Sequence, residues 1–332
     1  MVEIKTTIGG LPTPVFYPSV SYVSKNVWSA IDHIELLVSA DFPQFLVSCF
    51  DVHKGRNDSR LRDALKQAEE QSQVVLYDSG IYEVVWSRSK RWNRKKYLRT
   101  LRENRVSHAF CLDEYIVSAG YPITAEKLAS DVQQTSCILG KEIVSPIVHC
   151  KSINEYIDVC VGTSKLIKPQ LLAIPERELG AGIVEVAINI ARIRAALNEL
   201  GSYQDIHILG TGNPLSMMVY AFAGADSFDG LDWCQTVVDY ETATLHHTWH
   251  FDLYAHQGRW GDMKDMSLLA KCFLHNLDFY NNWMEELKGA IRSDQKSGMI
   301  EQYIKGPQKD LFLKIIEHEI SDLERKNATF AN

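Results

Sequence analysis

Acidic and histidine side chains follow several of the apolar, strand-like runs of this 332-residue chain. The clearest case lies in the segment HILGTGNPLSMMVYAFAGADSFDGLDWC, where Asp229 and Asp232 flank Gly230 at the end of such a run. The corresponding positions in other runs are Asp78, Asp113 with Glu114, His149, and Glu176 with Arg177. Carboxyl groups gathered in one site could act as nucleophile and as general acid or base at a sugar carbon on which positive charge develops.

The apolar runs alternate with helix-like segments, and this alternation predicts the fold. Eight runs are typical of strands: Val15–Tyr22, Phe45–Phe50, Val74–Tyr77, His108–Leu112, Ile143–His149, Leu171–Ile174, Ile206–Leu209 and Asp226–Leu231. Eight segments are typical of helices: Val27–Ser39, Ser59–Gln71, Arg91–Glu103, Ala125–Leu139, Ile153–Val161, Gly182–Leu200, Pro214–Phe222 and Met266–Ile291. The pattern predicts an α/β protein with a (β/α)8 barrel, and a doubly wound sheet is the alternative.

In such a barrel the carboxyl ends of all strands meet at one mouth, where active sites lie. The acids that follow the strands would then share one site. The alternative is that they cap the helices that follow, which is common for an acid in this place. We expect the barrel to span residues 1–292, followed by a C-terminal helical extension over residues 293–332.

Composition limits the class of protein. The net charge of −7 argues against a protein that coats nucleic acid, although it leaves room for a local basic patch. No apolar run approaches the roughly 20 residues of a membrane span, and the N-terminus lacks a signal-peptide pattern. The seven cysteines are scattered and never form a CxxC pair. We therefore expect a cytoplasmic protein with reduced cysteines and no membrane contact.

One basic run stands out in this acidic chain. RSKRWNRKKYLRTLRENR, residues 88–105, holds nine Lys or Arg against one Glu, with Trp92 and Tyr97 between them. A basic rim with aromatic residues beside an acidic site is typical of binding to a phosphate backbone, and a solvated amphipathic helix is the alternative. The residues predicted to bind nucleic acid are Arg91, Arg94, Lys95, Lys96 and Arg99.

Four of the segments, taken together, resemble the tRNA-guanine transglycosylase superfamily. Its members carry DSGG(F/Y)Q, FDE, YLMGVGxP and FDC at successive places, where this chain has DSGIYE, CLDE, HILGTGNP and SFDG in the same order. HNLDFYNNWMEEL, residues 275–287, is similar to the last helix of the family. The resemblance covers roughly residues 74 to 287.

The resemblance implies an enzyme that exchanges guanine in a polynucleotide for a 7-deazaguanine base through a covalent bond between an aspartate and the nucleotide. Asp229 would be the nucleophile at C1′ and Asp78 the general acid and base. Asp113 would accept hydrogen bonds from the N–H groups of the base. The target nucleotide would have to be flipped out of its helix. Further residues expected to bind the substrate are Ser79, His149, Gly212, which would leave space for the flat base, and Glu176.

The chain departs from the family pattern in three places. The family's VQGG is IVHC here, so His149 stands where a base-contacting Gln is expected, and AIPERELG replaces GGLAVG. The cysteines of the zinc signature are missing; LHHTWH stands near their place, so a three-histidine zinc site at His247, His250 and His275 is the alternative to the expected absence of metal and cofactor. These departures favour the DNA-guanine transglycosylase branch, with a tRNA substrate as the alternative.

Two other classes of function stay open. One is a non-catalytic, nucleic-acid-binding partner subunit of a transglycosylase, against which the presence of both Asp78 and Asp229 argues. The other is a glycoside or nucleoside hydrolase in which water replaces the incoming base. The basic run argues against the small soluble substrate of such a hydrolase.

Overall fold

The computed structural model describes residues 5–23, 28–87, 92–113 and 120–314. Eight parallel strands form a barrel surrounded by helices, which confirms the predicted (β/α)8 fold. The strands are β1 Val15–Val20, β2 Gln44–Ser48, β3 Val74–Asp78, β4 His108–Phe110, β5 Val144–Ser145, β6 Leu171–Pro175, β7 Asp205–Leu209 and β8 Ser227–Gly230. Their order is β5-β4-β3-β2-β1-β8-β7-β6. Just after β5, the N–H of Val148 donates to the carbonyl of Ala173 at 2.8 Å, which joins the two ends of the sheet.

The helices include all eight that the sequence predicts. They are α1 Ala30–Ser39, α2 Cys49–Gly55, α3 Ser59–Glu70, α4 Ile81–Ser87, α5 Arg94–Glu103, α6 Ile123–Leu139, α7 Ile153–Ile167, α8 Ile183–Asn198, α9 Pro214–Phe222, α10 Asp232–Gln235, α11 Phe251–Tyr254, α12 Leu268–Arg292, α13 Lys296–Tyr303 and α14 Pro307–Lys314. An antiparallel hairpin of β9 Thr236–Asp239 and β10 Thr244–His247 precedes α11. No helix among the residues described is both long and apolar enough to cross a membrane.

Several short elements differ from the sequence prediction. The second predicted strand extends to Phe50, whereas β2 ends at Ser48 and α2 begins at Cys49. The sequence analysis did not predict α2, α4, α10, α11 or the hairpin, because each is too short to show a periodic pattern. The described part of the C-terminal extension holds two helices, α13 and α14, which are separated near Gly306, whose φ is +76°. The rest of that tail lies outside the described residues, and the division of the chain at residue 292 stays a prediction.

Alternation along the strands separates two cores. Side chains that point into the barrel, such as Tyr17, Leu76 and Phe110, are at most 1% exposed and fill its interior. Their neighbours that point outward, such as Phe16 and Phe228, pack against the helices. Because successive strand residues face opposite sides, every second residue near a strand end faces the barrel axis. This periodicity places polar residues at the upper ends of β1, β3 and β8, above the apolar interior.

The connection from β7 to α9 is held tightly by an Asn-Pro pair at the start of the helix. The side chain of Asn213 accepts hydrogen bonds from the amides of Leu215 and Ser216 at 3.0 and 3.2 Å, and Pro214 occupies the first turn. Gly230 of β8 packs on this turn so closely that a Cβ there would lie 2.6 Å from the Cα of Gly212. The ends of β7 and β8 are therefore fixed relative to each other.

Candidate active site

A cavity of about 300 Å³ opens at the carboxyl ends of the strands. Residues in or just beyond all eight strands contribute to its wall, and the carboxyl ends of the strands are the usual place for a site in this fold. Of the residues predicted from the sequence, five line it: Asp78, Ser79, Asp113, His149 and Asp229. Other lining residues include Ser19, Tyr82, Glu83, Arg177, Gly210 and Asp232.

Three donors from two strands, Ser19 of β1 and the residues His207 and Gly210 in and just after β7, hold the Asp229 carboxylate. The hydroxyl of Ser19 donates to Oδ2 at 2.6 Å, while the amide of Gly210 donates to Oδ1 at 3.1 Å. The ring nitrogen Nε2 of His207 lies 3.2 Å from the same Oδ1. Asp229 is only 7% exposed, so these donors compensate for water that burial has removed. The carboxylate therefore has a defined orientation at the floor of the cavity.

Neither Ser19 nor His207 belongs to the residues predicted from the sequence. His207 lies on β7, opposite Ser227 of β8 in the parallel register, and its Nδ1 is 2.8 Å from the Ser227 hydroxyl. Both side chains are fully buried below the cavity. The signal that could have found His207 is its place in the strand DIHIL, where a polar residue alternates with apolar ones and so must face the barrel interior.

Asp78 ends β3, and its carboxyl faces a different environment from that of Asp229. Burial raises the pKa of Asp78 well above its usual range, and the nearby carboxylates of Glu83 and Asp113 raise the pKa further. One hydrogen bond opposes this effect, from the amide of Gly80 to Oδ2 at 3.1 Å. Gly80 has a φ of +84°, and a Cβ there would lie 2.7 Å from the amide nitrogen of Phe50, so glycine is required at this turn. Asp78 is thus suited to carry a proton.

Glu83 is a third carboxyl at this end of the cavity that sequence analysis did not select. It lies on α4, is 3% exposed, and accepts hydrogen bonds from the hydroxyls of Ser21 and Ser48 at 2.6 and 2.7 Å. Burial raises its pKa, although these two hydrogen bonds lower it. Glu83 is the last residue of DSGIYE, where the similar motif DSGG(F/Y)Q has Gln, and this position is the signal that could have found it. Its carboxylate contributes to the raised pKa of Asp78.

Beyond the neighbouring strands β4 and β5, His149 bridges two carboxylates. Its Nε2 is 3.1 Å from Oδ2 of Asp113, and its Nδ1 is 2.8 Å from Oε1 of Glu178. The hydroxyl of Tyr156 donates to the other oxygen of Glu178 at 2.5 Å. Burial lowers the pKa of His149, but the hydrogen bonds and charges of both carboxylates outweigh it and raise the pKa to about 9. A protonated imidazole therefore fixes Asp113 in place.

This bridge leaves one oxygen of Asp113 for a ligand. The side chain is 8% exposed, and its Oδ1 has no hydrogen-bond partner among the described residues. A buried acceptor without a partner is costly, and a ligand N–H in the cavity would satisfy it. Both ring nitrogens of His149 face carboxylates, although the side chain lines the cavity. Whether His149 contacts a substrate stays a prediction.

Two predicted substrate-binding residues lie behind the cavity wall. The carboxylate of Glu176 accepts a hydrogen bond from the hydroxyl of Tyr220 at 2.8 Å, and burial raises its pKa. Gly212 is covered by Asp232, whose Oδ2 would lie 2.3 Å from a Cβ at this position. The open space expected beside Gly212 is therefore filled by protein atoms, because the turn packs directly on the end of β8.

The neighbouring Arg177, which sequence analysis placed beside the site without a role, does line the cavity. Its guanidinium carbon lies 5.6 Å from the ring centroid of Tyr82, another lining residue. The ring of Tyr82 is in turn 6.1 Å from that of Trp86, which is 59% exposed. The side chains of Arg177, Tyr82 and Trp86 thus form a row of one cation and two aromatic rings between the cavity and solvent.

Residues 94–103 of the basic run form α5, and the amino end of this helix lies near the cavity. The indole N–H of Trp92 donates to the carbonyl of Ser79 at 3.1 Å, which ties the start of the helix to the cavity wall. Arg94 lies 3.5 Å from Asp131, and Arg99 lies 2.6 Å from Glu103, so part of the charge is used within the protein. Lys95 is exposed and Lys96 half-buried. Arg91 lies outside the described residues.

The three histidines considered for zinc do not form a cluster. His275 is fully buried, its Nε2 lies 2.8 Å from the carbonyl of Val238, and its ring packs on that of Tyr240 at 4.3 Å. His247 and His250 are exposed, with ring centroids 5.9 Å apart. Within the described part of the chain, no group of three His, Cys, Asp or Glu residues could hold a metal ion. His275 thus supports the hairpin, and whether the protein binds zinc stays a prediction.

A scan against models of known protein families finds no match, and a search of the curated proteins finds no significant match.

Proposed function

We propose that this protein is a nucleic-acid guanine transglycosylase that exchanges guanine for a 7-deazaguanine base, with DNA as the preferred substrate. The observation that carries the proposal is that Asp78, Asp113 and Asp229, distant in sequence, line one cavity of about 300 Å³ at the mouth of the barrel. Cavities of this size take small organic ligands. The three acids differ in their surroundings as the three roles of the reaction require.

Asp229 is the proposed nucleophile. Its oriented carboxylate attacks C1′ of the flipped nucleotide, and the bond from C1′ to guanine N9 breaks. The covalent intermediate retains the polynucleotide while guanine leaves and the new base enters. The three hydrogen bonds from Ser19, His207 and Gly210 hold the carboxylate in position for in-line attack.

Asp78 is the proposed general acid and base. Because burial and neighbouring carboxylates raise its pKa, it holds a proton that it can donate to the departing guanine. In the second half of the reaction, it accepts the proton from N9 of the incoming base. One carboxyl thus serves both directions of the exchange, while Asp229 forms and breaks the bond to the sugar.

Asp113 supports recognition of the base edge. Guanine and 7-deazaguanines present N1–H and a 2-amino group side by side, and an ionised carboxylate only accepts hydrogen bonds. The unpartnered Oδ1 of Asp113 is available for one of these donors. His149 holds the carboxylate in position from the other side.

Binding of a polynucleotide rests on the basic residues near the mouth. Arg177 lines the acidic cavity, and Lys95 and Lys96 lie in the first turn of α5, just after Trp92, which bonds to the cavity wall. Positive charge there would offset the repulsion between carboxylates and phosphates. The preference for DNA rests on the absence of the zinc-site cysteines that tRNA enzymes of the superfamily carry. A tRNA substrate remains the alternative for the same chemistry.

The test is release of labelled guanine from DNA and from tRNA, with and without added 7-deazaguanines. We expect exchange with DNA, and a covalent adduct on denaturing gels. Asp229→Asn should abolish both, while Asp232→Asn, which changes a second carboxyl in the same cavity, should retain the adduct. Exchange by Asp229→Asn at the wild-type rate would contradict the assigned nucleophile. Release of guanine without incorporation of a new base would instead indicate a hydrolase.

A further inference from the structure

A buried chain of hydrogen bonds runs beneath the cavity from Ser227 through His207 to Asp229. The Ser227 hydroxyl lies 2.8 Å from Nδ1 of His207, and Nε2 lies 3.2 Å from Oδ1 of Asp229. Ser227 and His207 are fully buried, and neither lines the cavity. The serine therefore cannot reach a substrate. Although a serine, a histidine and an aspartate are linked by hydrogen bonds here, they cannot act as a catalytic triad with a serine nucleophile.

We propose that His207 is a positioning residue that holds Oδ1 of Asp229, so that Oδ2 forms the bond to the sugar and the resulting ester breaks down rapidly. This inference rests on the proposed transglycosylase function. It assigns a task to a residue that neither the motifs nor the predicted site included. It also assigns different tasks to the two oxygens of the nucleophile.

The hydrogen-bond pattern determines the tautomer of His207. An ionised Asp229 can only accept, so the proton of a neutral imidazole must be on Nε2. Nδ1 then accepts from the Ser227 hydroxyl, which leaves no other tautomer compatible with both contacts. Ser227 thus acts through His207 by fixing the direction in which the ring donates.

The same contacts distinguish the two oxygens of Asp229. Oδ1 receives two N–H donors, from His207 below the cavity and from the amide of Gly210. Oδ2 receives the Ser19 hydroxyl, which lines the cavity and can rotate away. Oδ2 is therefore the oxygen that can meet C1′, and Oδ1 becomes the carbonyl oxygen of the ester.

In the second half of the reaction, N9 of the incoming base attacks C1′ as its proton passes to Asp78. The bond between C1′ and Oδ2 breaks, and its electron pair returns to the Asp229 carboxylate. Negative charge then develops on a group that already accepts two N–H donors at Oδ1. Preorganised donors of this kind stabilise a transition state in which charge appears. His207 should therefore accelerate breakdown of the ester more than its formation.

The experiment compares His207→Leu, which lacks the donor, with His207→Gln, whose amide nitrogen can replace Nε2. His108→Leu is the matched control, because His108 is also fully buried in the barrel and bonds to Ser145 at 2.7 Å. We expect His207→Leu to exchange bases about 100-fold more slowly, the usual cost of one lost donor of this kind. The covalent adduct should accumulate in this variant. His207→Gln should stay within about tenfold of wild type, and His108→Leu should not accumulate adduct.

Equal rates for His207→Leu and wild type would overturn the inference, as would a loss of rate without accumulated adduct. If His207→Leu does not fold, the adduct level of His207→Gln and the nitrogen-15 spectrum of the His207 ring decide. The spectrum should show protonation at Nε2 and should change in Asp229→Asn; protonation at Nδ1 would overturn the inference. A wild-type protein without exchange or adduct would refute the proposed function, and the spectrum separates that result from a wrong hydrogen-bond assignment.

Discussion

The bridge from Asp113 through His149 to Glu178 should make the stability of the protein depend on pH in a defined window. Burial lowers the pKa of His149, and the two carboxylates raise it more strongly, to about 9 from its ordinary 6.5. Its side chain is 16% exposed, so solvent screens these contacts only weakly. The difference corresponds to about 3 kcal/mol in the free energy of unfolding. Because the pKa is higher in the folded state, this contribution is complete below pH 6.5 and is lost as the pH rises to about 9.

The measurement is urea denaturation of wild type and His149→Gln between pH 6 and pH 10. We expect the free energy of unfolding of wild type to exceed that of the variant by about 3 kcal/mol more at pH 6 than at pH 10. Taking the difference between the two proteins removes other titrating groups, including Asp51 and Asp205, whose pKa values burial raises to about 7. His256→Gln changes an exposed histidine and should leave the pH profile unchanged. Parallel profiles of wild type and His149→Gln would refute the charged bridge.

Three further predictions concern the basic helix, the metal and a buried histidine. Replacing Arg94, Lys95 and Lys96 with Ala should weaken polynucleotide binding and reduce the slope of its salt dependence by about 0.7 to 0.9 for each lost phosphate contact; an unchanged slope would indicate a helix that binds no phosphate. Elemental analysis should find well under one zinc per chain, and His275→Ala should lower thermal stability without releasing metal. Stoichiometric zinc would contradict this prediction and favour tRNA as the substrate. Burial lowers the pKa of His33 to about 4, so the free energy of unfolding of wild type should fall as the pH drops below 6.5. The free energy of unfolding of His33→Leu minus that of wild type should therefore be about 2 kcal/mol larger at pH 5 than at pH 8. Equal effects at both pH values in urea denaturation would contradict it.

The sequence by itself determined the architecture of this protein. Strand and helix periodicities are local, and each β/α unit buries its apolar face against its neighbours, so eight such units leave few arrangements besides a closed barrel. The start of α9 at Asn213 and Pro214 can be predicted for the same reason, since the hydrogen bonds of the Asn213 side chain reach amides only two and three residues further along the chain. The acids at strand ends could also be placed at the mouth, because parallel strands bring their carboxyl ends together.

Only the tertiary structure decided how these acids are supported. Ser19 and Asp229 are 210 positions apart and meet because β1 pairs with β8 when the barrel closes. The partners of His149 come from loops after two other strands, and Glu83 reaches the site from a helix too short to predict. Such contacts depend on the register between strands and on the path of the loops, which no local pattern encodes. They determine the protonation of the site, because burial and the charge of distant neighbours, not residue type, set each pKa.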